Sequence, residues 1–156
     1  MPREPASAES TSACACGRLR RAARSLTQLY DHSMQACGLR VTQFSLLRTL
    51  AASGPLRISD LAARQLLDRT ALSRNLDPLL TRGLIEAVRG RDARTREVAI
   101  TPKGKRELRG AEPHWQRAQA AVRARVGADR LHALIDTLAD LEALHPHRDR
   151  TEESTR

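Results

Sequence analysis

Between Ile58 and Gly104 the chain changes its hydrophobic period twice, and turn or cap residues stand at each change. Leu72, Leu76, Leu79 and Leu80 fall within about ±60° of one line on a helix turning ~100° per residue, so Arg69–Arg82 is expected to be helical with that stripe inward. Asp68 stands in front of it as an N-cap and Gly83 ends it. Leu84–Arg89 and Arg96–Ile100 then read as two strands joined by Gly90–Thr95, GRDART. Thr101-Pro102 opens another helix, with a cap and a proline at its first position. Upstream, Ile58, Leu61, Ala62 and Leu66 mark a shorter helix, Asp60–Gln65, that packs on the next one. Leu56-Arg57 is a candidate third strand beneath the hairpin, and Ser59 a candidate cap.

Helix, turn, helix, basic hairpin, helix is the order of a winged helix-turn-helix. The expected fold is mainly α with a small β-hairpin wing, and helices on either side that hold two copies together. Thr70, Ala71, Arg74, Pro78 and Thr81 lie opposite the leucine stripe. Small side chains let such a face seat in a major groove, and a guanidinium there can take a guanine edge with two bonds. Arg74 is the first candidate for base contact; Thr70 and Ser73 are candidates for bases or phosphates, and Asn75 for support on the flank. Arg89, Arg91, Arg96 and Lys103 are phosphate candidates. Pro78 sits well inside the helix, where a bend is expected.

Charge agrees with a polyanion partner. The formal net charge is +9, and all basic residues but Lys103 and Lys105 are arginine. Codon usage is a rival explanation for so much arginine, but not for its placement. From Thr81 to Arg106 eight basic residues face three acidic ones.

The flanks complete the plan. Residues 1–13 read as a disordered arm and 146–156 as a polar tail. Residues 14–37 form the first helix region of a dimerisation unit, 38–101 the DNA-binding domain, and 102–145 the C-terminal dimerisation helices. Leu19, Ala22, Ala23, Leu26, Leu29, Tyr30 and Met34 stripe a helix over Gly17–Ala36, which Gly38 stops. Thr42 is the expected cap of a helix Gln43–Ala52, with Phe44, Leu47 and Leu50 inward. Pro113 is expected to kink the helix that runs to Gly127. Asp129 is the expected cap of a last helix, whose stripe from Leu131 to Leu144 exceeds what one small domain needs and is assigned to a dimer seam.

The chain resembles the multiple-antibiotic-resistance regulator (MarR) family of bacterial transcription factors. The likeness lies in DRTALSRNLDPLLTRGLI, the wing RDARTREVAIT and the opening TPKG, and extends to LRRAARSLTQLYD and GLRVTQFSLLRTL, over roughly residues 18–144. It implies a homodimer on a double-stranded operator, repression as the usual mode, and release by a small molecule or an oxidant. It also makes Arg94 similar to the family's minor-groove arginine, with Asp92 bracing it through a charge-assisted bond, and makes Pro78 a familiar occupant. Tyr30 and His32 lie near where the family holds its effector, with Phe44 and Trp115 as apolar walls; core packing accounts for these residues equally well.

No secretory signal or membrane-length apolar run is visible, so a cytoplasmic chain that does not engage a membrane is expected. Cys14, Cys16 and Cys37 are an odd number and read as reduced thiols. Cys14 and Cys16, one residue apart beside Arg18, Arg20 and Arg21, are the sensor candidates. No cofactor is required, and a thiophilic metal or metalloid held by these two is the one candidate ion. A disulfide between them would be strained, which leaves an intersubunit bridge or a shared site. No phosphate loop, G-x-S-x-G or H-E-x-x-H occurs. The rival classes are a cysteine-dependent redox or metal-handling enzyme and a winged helix used only to dock proteins.

Overall fold

The computed structural model describes residues 14–90 and 96–145. The arm, the tail and the wing-tip residues Arg91, Asp92 and Arg94 lie outside the described residues. In chain order the elements are α1 (Ala15–Met34), a single 3-10 turn (Gln35–Cys37), α2 (Val41–Ser53), β1 (Leu56–Arg57), α3 (Ile58–Arg64), α4 (Arg69–Thr81), β2 (Ile85–Arg89), β3 (Arg96–Ile100), α5 (Pro102–Val126) and α6 (Ala128–Glu142).

The sheet is antiparallel in the order β1-β3-β2. Leu56 pairs with Val98, so the two residues of β1 do serve as a third strand. Phe44, Leu47 and Leu50 of α2, Leu61 of α3, Leu72, Leu76 and Leu79 of α4, and Leu84 and Ile85 at the wing root are all essentially inaccessible and share one core. Among the described residues no polar side chain is buried in it. Leu80 departs from the expected stripe and is 40% exposed. It lies at the stripe's edge, about 80° around the helix from Leu72.

The caps show where sequence reasoning succeeds. Asp68 Oδ1 accepts from the amide of Ala71 at 2.8 Å, and Thr101 Oγ1 from that of Gly104 at 3.0 Å, with Pro102 at the first position. Three caps are placed differently. α2 starts at Val41, not Gln43, and Thr42 does not cap it. The amide of Arg40 donates to Gln43 Oε1 at 3.1 Å, and that of Val41 to Asp31 Oδ1 at 2.7 Å. Asp31 reaches across from α1, putting an anion on the positive end of α2. Ser59 does not cap α3, which starts directly after β1 at Ile58; its hydroxyl faces the Asp60 carboxylate at 3.3 Å. α6 starts at Ala128 after Gly127 (φ 90°), which leaves Asp129 in the first turn, still suited to the helix dipole.

α1 starts at Ala15 with Cys14 at its N-cap, two residues before the expected Gly17, and Gly38 (φ 67°) closes the 3-10 turn after it. Pro78 and Pro113 both stay inside their helices, on exposed positions. α5 docks hard on the wing root. A Cβ at Gly104 would overlap the carbonyl oxygen of Leu84, and the hydroxyl of Thr101 donates to the Gly83 carbonyl at 2.8 Å.

Candidate nucleic-acid interface

The turn between α3 and α4 is set by Leu66, a non-glycine residue at φ 50°. Its conformation lets the amide of Leu67 return to the Ala62 carbonyl at 3.0 Å and the chain leave at a new angle. Leu66, expected on the packing face, is half-buried in this turn. Gln65 ties the turn to α2 through Thr49 Oγ1 at 3.0 Å. The result presents α4 with Leu72, Leu76 and Leu79 sealed beneath and Arg69, Thr70, Ser73, Arg74, Asp77, Pro78 and Thr81 exposed. Asn75 is half-buried on the flank. Among the described residues the Arg74 guanidinium has no ion-pair partner, so it is free to meet a base edge.

At the mouth of the wing Arg89 and Arg96 are exposed and directly paired across β2 and β3. Like charges opposite one another destabilise an antiparallel pair. A phosphate between or beside them removes that cost, which is a physical reason to place DNA there. Lys103 is exposed but engaged: its ammonium donates to the Arg82 carbonyl at 2.8 Å, a cation at the negative end of α4.

Arg82 itself was missed. Its guanidinium donates to the Gly38 carbonyl at 2.8 Å and meets Glu107 Oε2 at 3.4 Å, tying the end of α4 to the foot of α1 and to α5. Only the fold brings these partners together, so no local signal could have shown it.

Two open clefts lie against α1. One, of about 440 Å³, is lined by Tyr30, Val41, Phe44, Arg48, Trp115 and Gln119 among others. Phe44 and Trp115 stack there with centroids 5.8 Å apart, and the Arg48 guanidinium carbon sits 4.5 Å over the indole. Burial pushes the Tyr30 hydroxyl above its ordinary pKa. The second cleft, of about 620 Å³, holds His32, Ser33, His114 and Arg117. Ser33 Oγ donates to the His114 carbonyl at 2.7 Å. Tyr30 and His32 therefore face different clefts, as two residues about 200° apart on a helix must.

Cys14, at the N-cap of α1, and Cys16, in its first turn, are exposed free thiols. Cys37 is half-buried and donates to the Met34 carbonyl at 3.0 Å. No group of three or more His, Cys, Asp or Glu suited to a metal occurs among the described residues of one chain. Cys14 and Cys16 alone would need further ligands from elsewhere.

The MarR family model matches residues 39–95, from the foot of α1 through the wing. The M. tuberculosis transcriptional regulator MosR, solved in complex with DNA, is 41% identical over 82% of this chain and 95% of its own, with a TM-score of 0.72. This chain belongs to the MarR family. The repressor CouR, solved on a 23-mer DNA duplex, is 25% identical over 88% of this chain and 99% of its own, with a TM-score of 0.78. PcaV of Streptomyces coelicolor, solved with its natural ligand, shares the fold at 21% identity, covering 92% of this chain and 99% of its own at a TM-score of 0.76. A comparison with curated proteins returned no match.

Membership of the MarR family makes the chain a DNA-binding transcriptional regulator and sets aside the enzyme and docking-module classes. Among the described residues no helix is long and apolar enough to cross a membrane.

Proposed function

We propose that two copies of this chain bind a pseudo-palindromic operator in the cytoplasm, repress the adjoining promoter, and release it on a small-molecule, oxidant or thiophilic-metal signal. The observation that carries the pairing is α6. It buries no side chain in one chain, yet Leu134, Ile135 and Leu141 on it are 40, 55 and 39% exposed, and Leu144 just past its end is 76% exposed. Leu26 and Leu29 of α1 add to this unburied apolar surface at 40 and 37%. A second copy is the occupant that a two-fold regulator supplies. Pairing through α1 and α6 presents two α4 helices to successive major grooves, which explains an operator with two-fold symmetry.

On each half-site Arg74 reads a base edge, with Thr70 and Ser73 beside it and Asn75 supporting. Arg89, Arg91, Arg96 and Lys103 meet phosphates, and Arg94, braced by Asp92, enters the minor groove. The cleft beside Tyr30, Phe44 and Trp115 suits a planar or apolar effector; CouR has been solved with p-coumaroyl-CoA and PcaV with its natural ligand. His32 lines the neighbouring cleft. Cys14 and Cys16 supply a second input. A hydroperoxide oxidises two thiols to one disulfide between chains and leaves as alcohol and water, and a thiophilic ion would bind the same sulfurs from both chains.

The test is footprinting on the promoter beside its own gene, with sedimentation of the free protein at micromolar concentration. Two-fold protection by a two-chain species is the expected result. A folded monomer that gives the same protection overturns the pairing, and no protection at moderate salt overturns the operator.

A further inference from the structure

The centre of the exposed face of α4 is held by an acid. On a helix of ~100° per residue Asp77 lies about 20° from Thr70, about 40° from Ser73 and Thr81, and about 60° from Arg74. All five residues are exposed. The Asp77 carboxylate has no hydrogen bond or ion pair among the described residues; only its backbone carbonyl is used, by the Thr81 hydroxyl at 2.9 Å.

Among the described residues little favours an aspartate there: Arg74, three residues back, has the spacing of a helical charge pair but forms no ion pair with it. Aspartate is a poor interior helix residue. It lies in the C-terminal half of α4, where the helix dipole repels an anion. It also faces a polyanion from a chain of net charge +9. Phosphate oxygens can only accept hydrogen bonds, so against the backbone this carboxylate meets repulsion alone. The donors in the major groove are the exocyclic amino groups, and the established partner of a carboxylate is N4 of cytosine.

We propose that Asp77 is a specificity-determining residue that selects a cytosine in each half-site by accepting from its N4 amino group, and rejects guanine, thymine and non-specific backbone, which offer it no donor, by charge repulsion. This rests on α4 being the groove-reading helix. Arg74 and Asp77 then form a complementary pair of readers one turn apart, a donor for guanine and an acceptor for cytosine. Charge repulsion makes Asp77 as useful against wrong sequences as for the right one.

Selection from a randomised duplex library, run with wild type, Asp77→Ala and Asp77→Asn, tests this, with melting curves to confirm that each variant is folded. The wild type should enrich a half-site containing a cytosine whose loss weakens binding by about 5- to 150-fold. Asp77→Ala should lose the preference at that position alone while binding random duplex more tightly. Asp77→Asn, nearly identical in shape, should move the preference toward adenine, the usual partner of an amide. Identical base frequencies for wild type and Asp77→Ala at every position overturn the proposal. A wild-type motif without two-fold symmetry counts instead against the paired-copy reading, and the same comparison within the single half-site still decides the role of Asp77.

Discussion

The Arg82 guanidinium, at the end of α4, donates to the carbonyl of Gly38, which closes the turn after α1, 2.8 Å away. Gly38 holds a left-handed conformation, φ 67°, that turns its carbonyl out of the helix series. The same guanidinium meets Glu107 of α5, and the Arg82 carbonyl accepts from Lys103. One residue thus joins the end of α4 to the turn that closes α1 and to α5.

Arg82→Ala should therefore weaken the fold without changing base preference. The Glu107 pair is about one-third exposed on both sides and adds little. The charged bond to Gly38 dominates, so a loss of about 1–2 kcal/mol is expected in thermal or denaturant unfolding. A variant of unchanged stability, or one with an altered motif in library selection, contradicts this.

Gly104→Ala should cost about 3 kcal/mol, the upper end for overpacking. The obstacle is the Leu84 carbonyl, backbone that also accepts the amide of Thr101 at 3.0 Å and cannot swing aside. Alanine normally favours a helix, so an increase in stability would show that α5 does not approach the wing root this closely.

Tyr30 is the only tyrosine, so its ultraviolet titration is unambiguous. Burial raises its pKa, and the midpoint should lie above 10.0. The stability linked to it is fully present below the unfolded value and is lost as pH rises through the folded one. Tyr30→Phe should remove this alkaline loss. A wild-type midpoint at or below 10.0 contradicts the placement of Tyr30 in the cleft.

A Cys14→Ser, Cys16→Ser double variant should hold DNA under peroxide, copper(I) and arsenite when at least one of these releases the wild type. Both thiols are exposed at the start of α1, so reagents reach them without unfolding. Equal responses from wild type and variant to every agent would falsify the sensor role.

Local signals made most of this molecule legible. Asp68, Thr101 and the leucine period gave α4 and the start of α5 because caps and helical periodicity act within a few residues. The paired strands of the wing were legible as short runs on either side of Gly90–Thr95, except that Leu84 stands before β2, which starts at Ile85. What stayed hidden depends on distant partners. The cap of α2 comes from Asp31 on another helix, and the Arg82 ties need the folded chain. Leu80 was assigned inward because its angle is marginal, and burial at a stripe's edge is decided by neighbours rather than by period. The separation of Tyr30 from His32 needed only helix geometry. Asp77 carries no local signal of a partner: an exposed acid on a helix reads the same whether it meets solvent or a base edge.

The proposed reading of base edges by the exposed face of α4 can be measured. Binding of wild type and Arg74→Ala to the selected operator and to random duplex, at matched salt, tests it most directly. Loss of a bidentate guanine contact should weaken operator binding by about 1–3 kcal/mol, and random duplex by clearly less, so the ratio of the two affinities falls. Equal losses on both duplexes would mean that Arg74 contributes charge alone and that sequence is read elsewhere.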